Sequence, residues 1–165
     1  MIKLFFIFSF LIVSCSSKTP VAMDEVLWER GGQYITADNY SSFFYFNQKV
    51  YNGPGFLKYR SGEKKEEGSV KNGFKAGAWT GWDKKGNKKF VGEYKRGEPH
   101  GQWTGFHPNG KKKYEGNYKF NFQVGKWTYF NNKGIKNLEE NYFICDEECD
   151  DTHPDLGKLL DSKEF

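Results

Sequence analysis

The chain has little of what a helical or membrane-spanning domain needs. Only 37% of its 165 residues are hydrophobic and mean hydropathy is −0.80, so the body beyond the first thirteen residues holds no second span. Methionine numbers 2 and cysteine 3. No P-loop, Gly-x-Ser-x-Gly elbow or His-Glu-x-x-His motif occurs, which removes the usual pointers to nucleotide, acyl-transfer and zinc-protease chemistry. What is plentiful is aromatic surface: 16 Phe, 10 Tyr and 5 Trp, with 19 glycines beside them. A disordered chain is poor in aromatics, and a helical one carries more Leu and Ala and less Gly. Short strands and tight turns are expected, in an all-β fold.

One long apolar run stands at the start. Lys3 is followed by Leu4 to Val13 and then Ser14-Cys15. That run is about half the roughly 20 residues a bilayer-spanning helix requires, and the basic start followed by a short apolar core has the anatomy of an export signal. Ile12-Val13-Ser14-Cys15 resembles the lipobox of bacterial lipoproteins, where a peptidase cuts before a lipidated cysteine. The resemblance implies residues 1–14 as signal peptide, Cys15 as the acylated residue and 15–23 as tether. It also implies a lipid-anchored location in the cell envelope, outside the cytoplasm, at the outer membrane where the cell has two. An ordinary secretory signal with an incidental cysteine is the alternative.

Tryptophans at 79, 103 and 127 are 24 residues apart, inside Gly77-Ala78-Trp79-Thr80, Gly101-Gln102-Trp103-Thr104 and Gly125-Lys126-Trp127-Thr128. Gly62, Gly86, Gly110 and Gly134 keep the same period, as do Gly68, Gly92 and Gly116, and Tyr94, Tyr118 and Tyr142. Several residue classes in one register define an internal repeat. Four units are expected over 53–142, the first degenerate because Gly55 stands in the Trp phase. The Lys-Gly and Asn-Gly pairs between aromatic runs are hairpin signals, and the return runs alternate with period two. Glycine between two aromatics on one face leaves room for a neighbouring indole. Trp79, Trp103 and Trp127 are therefore expected in one stripe, packed on Gly92, Gly116 and the last hairpin.

These residues together, with Gly97 and His100-Gly101, resemble the MORN repeat in its bacterial variant, which is also the body of the YwqK-type antitoxin family. The likeness covers about 90 residues. It implies an elongated antiparallel sheet of stacked hairpins, with membrane-proximal scaffolding, phospholipid contact or protein binding and without intrinsic catalysis. Asn121 in the Gly97 phase, and Asn137 and Glu140 in the last unit, depart from the pattern.

Charge is segregated. Residues 53–142 carry nineteen Lys/Arg against nine Asp/Glu, whereas 143–165 carry two against eight. Lys84, Lys85, Lys88, Lys89 and Lys111-Lys112-Lys113 fall at turns and are the candidate electrostatic contacts, for an acidic protein or an anionic lipid. Solubility and the blunting of strand edges are their plainer reading. Export leaves no nucleic-acid partner in view. The segment 24–52 is expected to cap the first repeat. The acidic tail 143–165, with Leu156, Leu159 and Leu160 at helical spacing, is expected to form a short helix against the final hairpin.

Cys145 and Cys149 suit a local disulfide in an oxidising compartment. A metal arrangement with His153 or two free thiols are the alternatives, and the spacing lacks the paired Cys-x-x-Cys of structural zinc sites. His100 and His107 have no nucleophile or carboxylate in a shared motif, so structural roles are expected for both. The sequence thus reads as a non-enzyme, with no catalytic residues, no metal and no cofactor. A membrane-anchored binding scaffold is the first expectation, and an antitoxin or immunity protein that blocks a toxin by direct binding is the second.

Overall fold

The computed structural model describes residues 20–22, 45–46, 49–144 and 152–165. The expectations for the leader, for Cys15 and for Cys145 and Cys149 lie outside the described residues. Among the described residues twelve strands occur: β1 (Val21–Ala22), β2 (Tyr45–Phe46), β3 (Lys49–Val50), β4 (Gly53–Lys58), β5 (Lys64–Lys71), β6 (Phe74–Trp82), β7 (Lys88–Lys95), β8 (Glu98–Phe106), β9 (Lys112–Lys119), β10 (Phe122–Phe130), β11 (Lys136–Tyr142) and β12 (Leu159–Glu164). β4 to β12 form one antiparallel sheet in sequence order, with β1 added parallel to β4, and β2 pairs with β3 separately. The fold is all-β, an open sheet of successive hairpins, as the period-two runs and glycine turns predict.

Because the order is sequential, turns alternate between two ends of the strands. At one end lie the loops 59–63, 83–87, 107–111 and 131–135. Each is closed by an N–H of its first residue on the carbonyl of its last, at 2.8 Å for Asp83 to Asn87 and for His107 to Lys111. At the other end lie two-residue turns, Asn72-Gly73, Arg96-Gly97 and Phe120-Asn121, whose residues all have positive φ. Both central residues of a type I′ turn must adopt that conformation, and its twist matches the strands it joins. Asn121 fills the glycine phase at φ 65° because Asn tolerates the left-handed region better than most residues. Each such turn is tied to the preceding unit: the amides of Gly73, Gly97 and Asn121 donate to the carbonyls of Tyr51, Lys75 and Pro99.

With no second layer among the described residues, burial is concentrated in a ring stripe on the sheet. Trp79, Trp103 and Trp127 are buried. Tyr94 bridges Trp79 and Trp103, and Tyr118 bridges Trp103 and Trp127, all edge-on at centroid distances of 6.0, 5.3, 5.4 and 4.9 Å. Edge-to-face packing of this kind is favourable beyond the area it covers. Tyr51 packs with Leu57, Val70 and Trp79 at the start of the stripe.

Two expectations are corrected. The indoles close over the glycine of the preceding strand, not the following one: Trp79 lies on Gly68, Trp103 on Gly92 and Trp127 on Gly116. The reason is a bulge. Between β5 and β6 the register slips after the Gly68–Trp79 pair, at Gly77 (φ 65°), and the indole Nε1 of Trp79 donates to the Ser69 carbonyl there, at 2.9 Å. Trp103 to Glu93 and Trp127 to Asn117 repeat the bond at 2.9 and 3.1 Å.

The tail is the second correction. Among its described residues there is no helix; 152–157 turn, and Leu159 and Leu160 enter β12, antiparallel to β11. Gly157 at φ 76° takes the backbone out of the helical region between Leu156 and Leu159. The open edge of β11 offers unpaired backbone groups that a strand satisfies and a helix cannot.

Candidate interaction surface

The seven lysines singled out in the sequence are all exposed, on or beside two adjacent loops at one end of the strands. Strands lie about 4.8 Å apart, so successive loops, two strands on, are roughly 10 Å from one another. That is close to the Debye length of about 8 Å at physiological ionic strength, so the fields of neighbouring loops overlap.

The lysines are not equivalent. Lys64, Lys112 and Lys136 occupy one repeat phase, and each meets a glutamate three residues on: Glu67 at 2.5 Å, Glu115 at 2.6 Å, and Glu139. Lys88 has the same phase but Val91 stands where the glutamate would, leaving its ammonium beside the Phe106 ring at 5.8 Å. Lys84 lies 5.8 Å from the Tyr59 ring. Lys111 donates to the Lys133 carbonyl at 2.8 Å and so reaches the next loop. Lys85, Lys89 and Lys113 form no ion pair among the described residues. The described part of the acidic tail continues the sheet beyond β11 and leaves loops 83–87 and 107–111 uncovered; its Asp161 accepts from Asn141 Nδ2 and its Asp155 pairs with Lys158.

The histidines are held by structure. His107 Nε2 lies 2.8 Å from the Phe130 carbonyl, where the ring N–H donates, joining one loop to the next hairpin. His100 packs edge-on to Phe120, and burial, then the nearby Lys95 and Lys119, hold it below the ordinary histidine range. His153 stacks on Phe143 at 5.0 Å. No group of three His, Cys, Asp or Glu capable of holding a metal exists among the described residues.

Two features escaped the sequence reading. Lys71, Lys95 and Lys119 also repeat every 24 residues, and with Arg96 they put positive charge at the two-residue turns on the opposite strand ends. Lys95 and Arg96 line two successive open grooves there, of about 390 and 330 Å³, one containing Tyr94 and the other His100 and Phe120. The 24-residue spacing of those lysines was the available signal.

The second feature is an ion pair inside the stripe. Glu66 occupies the phase of Phe90, Tyr114 and Leu138, and it bonds Lys75 with both side chains mostly buried. The Lys75 ammonium also lies 4.5 Å from the Trp79 ring and 4.8 Å from that of Tyr94. Burial holds Lys75 below the ordinary lysine range, with Glu66 opposing the shift.

Comparison with family models, curated proteins and solved structures finds no match to this chain in any of the three.

Proposed function

We propose that this chain is a non-enzymatic binding scaffold at the cell envelope. In this reading its repeats are of the MORN type, an acyl chain on Cys15 holds it to the membrane, and its row of basic loops meets an anionic partner. The observation that carries the reading is the exposure of Lys84, Lys85, Lys88, Lys89 and Lys113 on or beside adjacent loops, where none of them forms an ion pair among the described residues and the described tail does not cover them. The indole N–H groups of Trp79, Trp103 and Trp127 and the ring of His107 are engaged with backbone carbonyls. An acidic protein face and an anionic headgroup present the same chemistry to such a row.

The test compares the full chain with a variant carrying Lys111→Ser, Lys112→Ser and Lys113→Ser. Each is assayed by sedimentation with neutral and phosphatidylglycerol-containing vesicles, and by retention of envelope proteins at low and high salt. A basic side chain near an anionic surface is worth about 1 kcal/mol, and Lys112 is partly neutralised by Glu115. The triple change should therefore weaken binding by roughly tenfold to a hundredfold, with a smaller effect at high salt. Vesicle binding identifies a lipid surface, and salt-sensitive retention of a protein identifies an acidic partner. Equal retention by both chains at every salt concentration would refute an electrostatic surface. Fatty-acid labelling that persists in Cys15→Ala would refute the anchor.

A further inference from the structure

We propose that β12 is a self-association edge, at which two copies of this chain pair antiparallel about Ser162 and join their sheets. β12 is the last strand of the sheet, and among the described residues only β11 pairs with it. All six of its residues are exposed. Exposed large apolar side chains gather here as well: Leu159, Leu160 and the adjoining Phe165 are 47, 57 and 60% exposed. A sheet edge of this kind is a template for another strand unless something blocks it. Proline, bulges and charged side chains are the usual blocks; β12 has no proline, its bulge is confined to Leu160 near its start, and its charges Asp161, Lys163 and Glu164 are of both signs, so a partner strand can pair them.

The geometry selects both the partner strand and its register. Phe165 donates its N–H to the Asn137 carbonyl at 3.1 Å, so Phe165, Lys163 and Asp161 turn their backbone groups toward β11. By the alternation of an antiparallel strand, Ser162 and Glu164 turn theirs outward. Leu160 is the extra residue of a bulge, since Asn141 faces Asp161 while Tyr142 faces Leu159. Several self-pairings use the outward groups. Those centred on Asp161, Lys163 or Glu164 set a charged side chain directly against its own copy, which is repulsive. The remaining one is centred on Ser162. There the two Ser162 residues exchange both backbone hydrogen bonds, Glu164 comes opposite Leu160 of the second copy, and Asp161 faces Lys163 of the second copy twice over. Opposite charges at such directly facing positions stabilise the pair, so charge decides for Ser162. The twofold arrangement closes on itself and gives a dimer, not a fibre.

Few residues meet, so the association is weak and a covalent trap reads it best. The Ser162 residues, as a hydrogen-bonded pair, would have Cα atoms about 5.5 Å apart, within the span of a disulfide. The full chain with Ser162→Cys, purified in detergent and mildly oxidised, should form a dimer well above the wild-type level, which accounts for the native cysteines. Lys163→Cys should not. Adding Asp161→Lys to Ser162→Cys should lower the dimer yield by about tenfold. Adding both Asp161→Lys and Lys163→Asp should restore it, which separates loss of pairing from loss of folding. The proposal is overturned if Ser162→Cys dimerises no more than wild type, if Lys163→Cys dimerises as well or better, or if Asp161→Lys leaves the yield unchanged. It is also overturned if the wild-type chain sediments as a monomer at its highest soluble concentration.

Discussion

Replacing Gly92 with alanine tests the ring-on-glycine architecture, because two physical arguments disagree about its sign. Gly92 sits in ordinary extended backbone, where alanine lowers the entropy of the unfolded chain and stabilises by about 0.4–1 kcal/mol. The space above it is taken. A Cβ there would lie 2.2 Å from Cδ2 and 2.3 Å from Cε2 of Trp103. The indole would have to retreat by about 1.3 Å or more to reach ordinary contact, and it has nowhere to go. Phe90 stacks on it at 5.0 Å, Tyr94 and Tyr118 meet it edge-on, and its Nε1 is bound to Glu93 O. Overpacking costs roughly 1–3 kcal/mol, and the lost indole hydrogen bond about 1 more. After the entropic gain is subtracted, Gly92→Ala should destabilise by roughly 1–3.5 kcal/mol.

Urea unfolding followed by tryptophan fluorescence measures this, and in heat the change should lower Tm by roughly 2–4 °C per kcal/mol. The decisive comparison is a cycle with Trp103→Leu. With the indole gone, Gly92→Ala should become neutral or stabilising, giving a coupling of about 2 kcal/mol. Gly110→Ala is the control. Nothing lies within 4 Å of its Cβ, and its φ of 80° should cost about 1–2 kcal/mol whichever residue stands at 103. Full stability of Gly92→Ala in the otherwise native chain would refute the packing argument.

Two further outcomes follow from the buried groups. Lys75→Met should destabilise by about 3–5 kcal/mol, since it strands the Glu66 carboxylate among rings, whereas Glu66→Phe with Lys75→Gln, the residues that other repeats carry in those phases, should recover the loss or exceed it; urea midpoints of both variants check this. Stability should fall as pH rises above about 10, because burial holds the phenols of Tyr94, Tyr114 and Tyr129 above the ordinary tyrosine range, so the unfolded chain releases protons that the folded chain keeps. The lowered Lys75 pushes the other way, but it is one group against three phenols, so a Tm that does not fall between about pH 9 and about pH 11 would contradict the burial of those rings.

The repeat was legible because it is written in residues whose backbone or volume demands are strict. Glycine at positive φ and tryptophan over a bare backbone cannot be exchanged without cost, so their 24-residue period survives in the sequence. The direction in which each indole leans was not legible. Trp79 has Gly68 on one side and Gly92 on the other at the same register level, and pattern alone treats them alike. The bulge at Gly77 and the Ser69 carbonyl break that tie. β12 was misread for a related reason. The spacing of Leu156, Leu159 and Leu160 fits a helix locally, while the demand it meets, the open edge of β11, is set by a strand some twenty residues earlier. The Glu66–Lys75 pair was hidden because neither residue looks unusual until Glu66 is aligned with Phe90 and Tyr114.

The loops show how a uniform interior leaves room for a specialised edge. Residues 59, 83, 107 and 131 hold one phase and divide into two kinds. Tyr59 donates to the Trp82 carbonyl at 2.7 Å, and His107 reaches that of Phe130, so each ties its loop to the next hairpin. Asp83 and Asn131 instead turn back on their own loops, Asp83 accepting from the amides of Lys85 and Asn87, and Asn131 from those of Lys133 and Ile135. Loop 107–111 gains two more ties to the last loop, from Asn109 to the Asn132 carbonyl and from Lys111 to that of Lys133. Among the described residues, the seam between loops 83–87 and 107–111 therefore lacks the cross-bond found on either side of it. Lys84, Lys85, Lys88, Lys89 and Lys113 stand around that seam. Packing in the ring stripe already fixes the strands beneath, so a loop can give up a cross-bond of about 1 kcal/mol without loss of the fold. What remains there is a set of exposed lysines at strand-set spacing, the feature on which the proposed anionic partner would act.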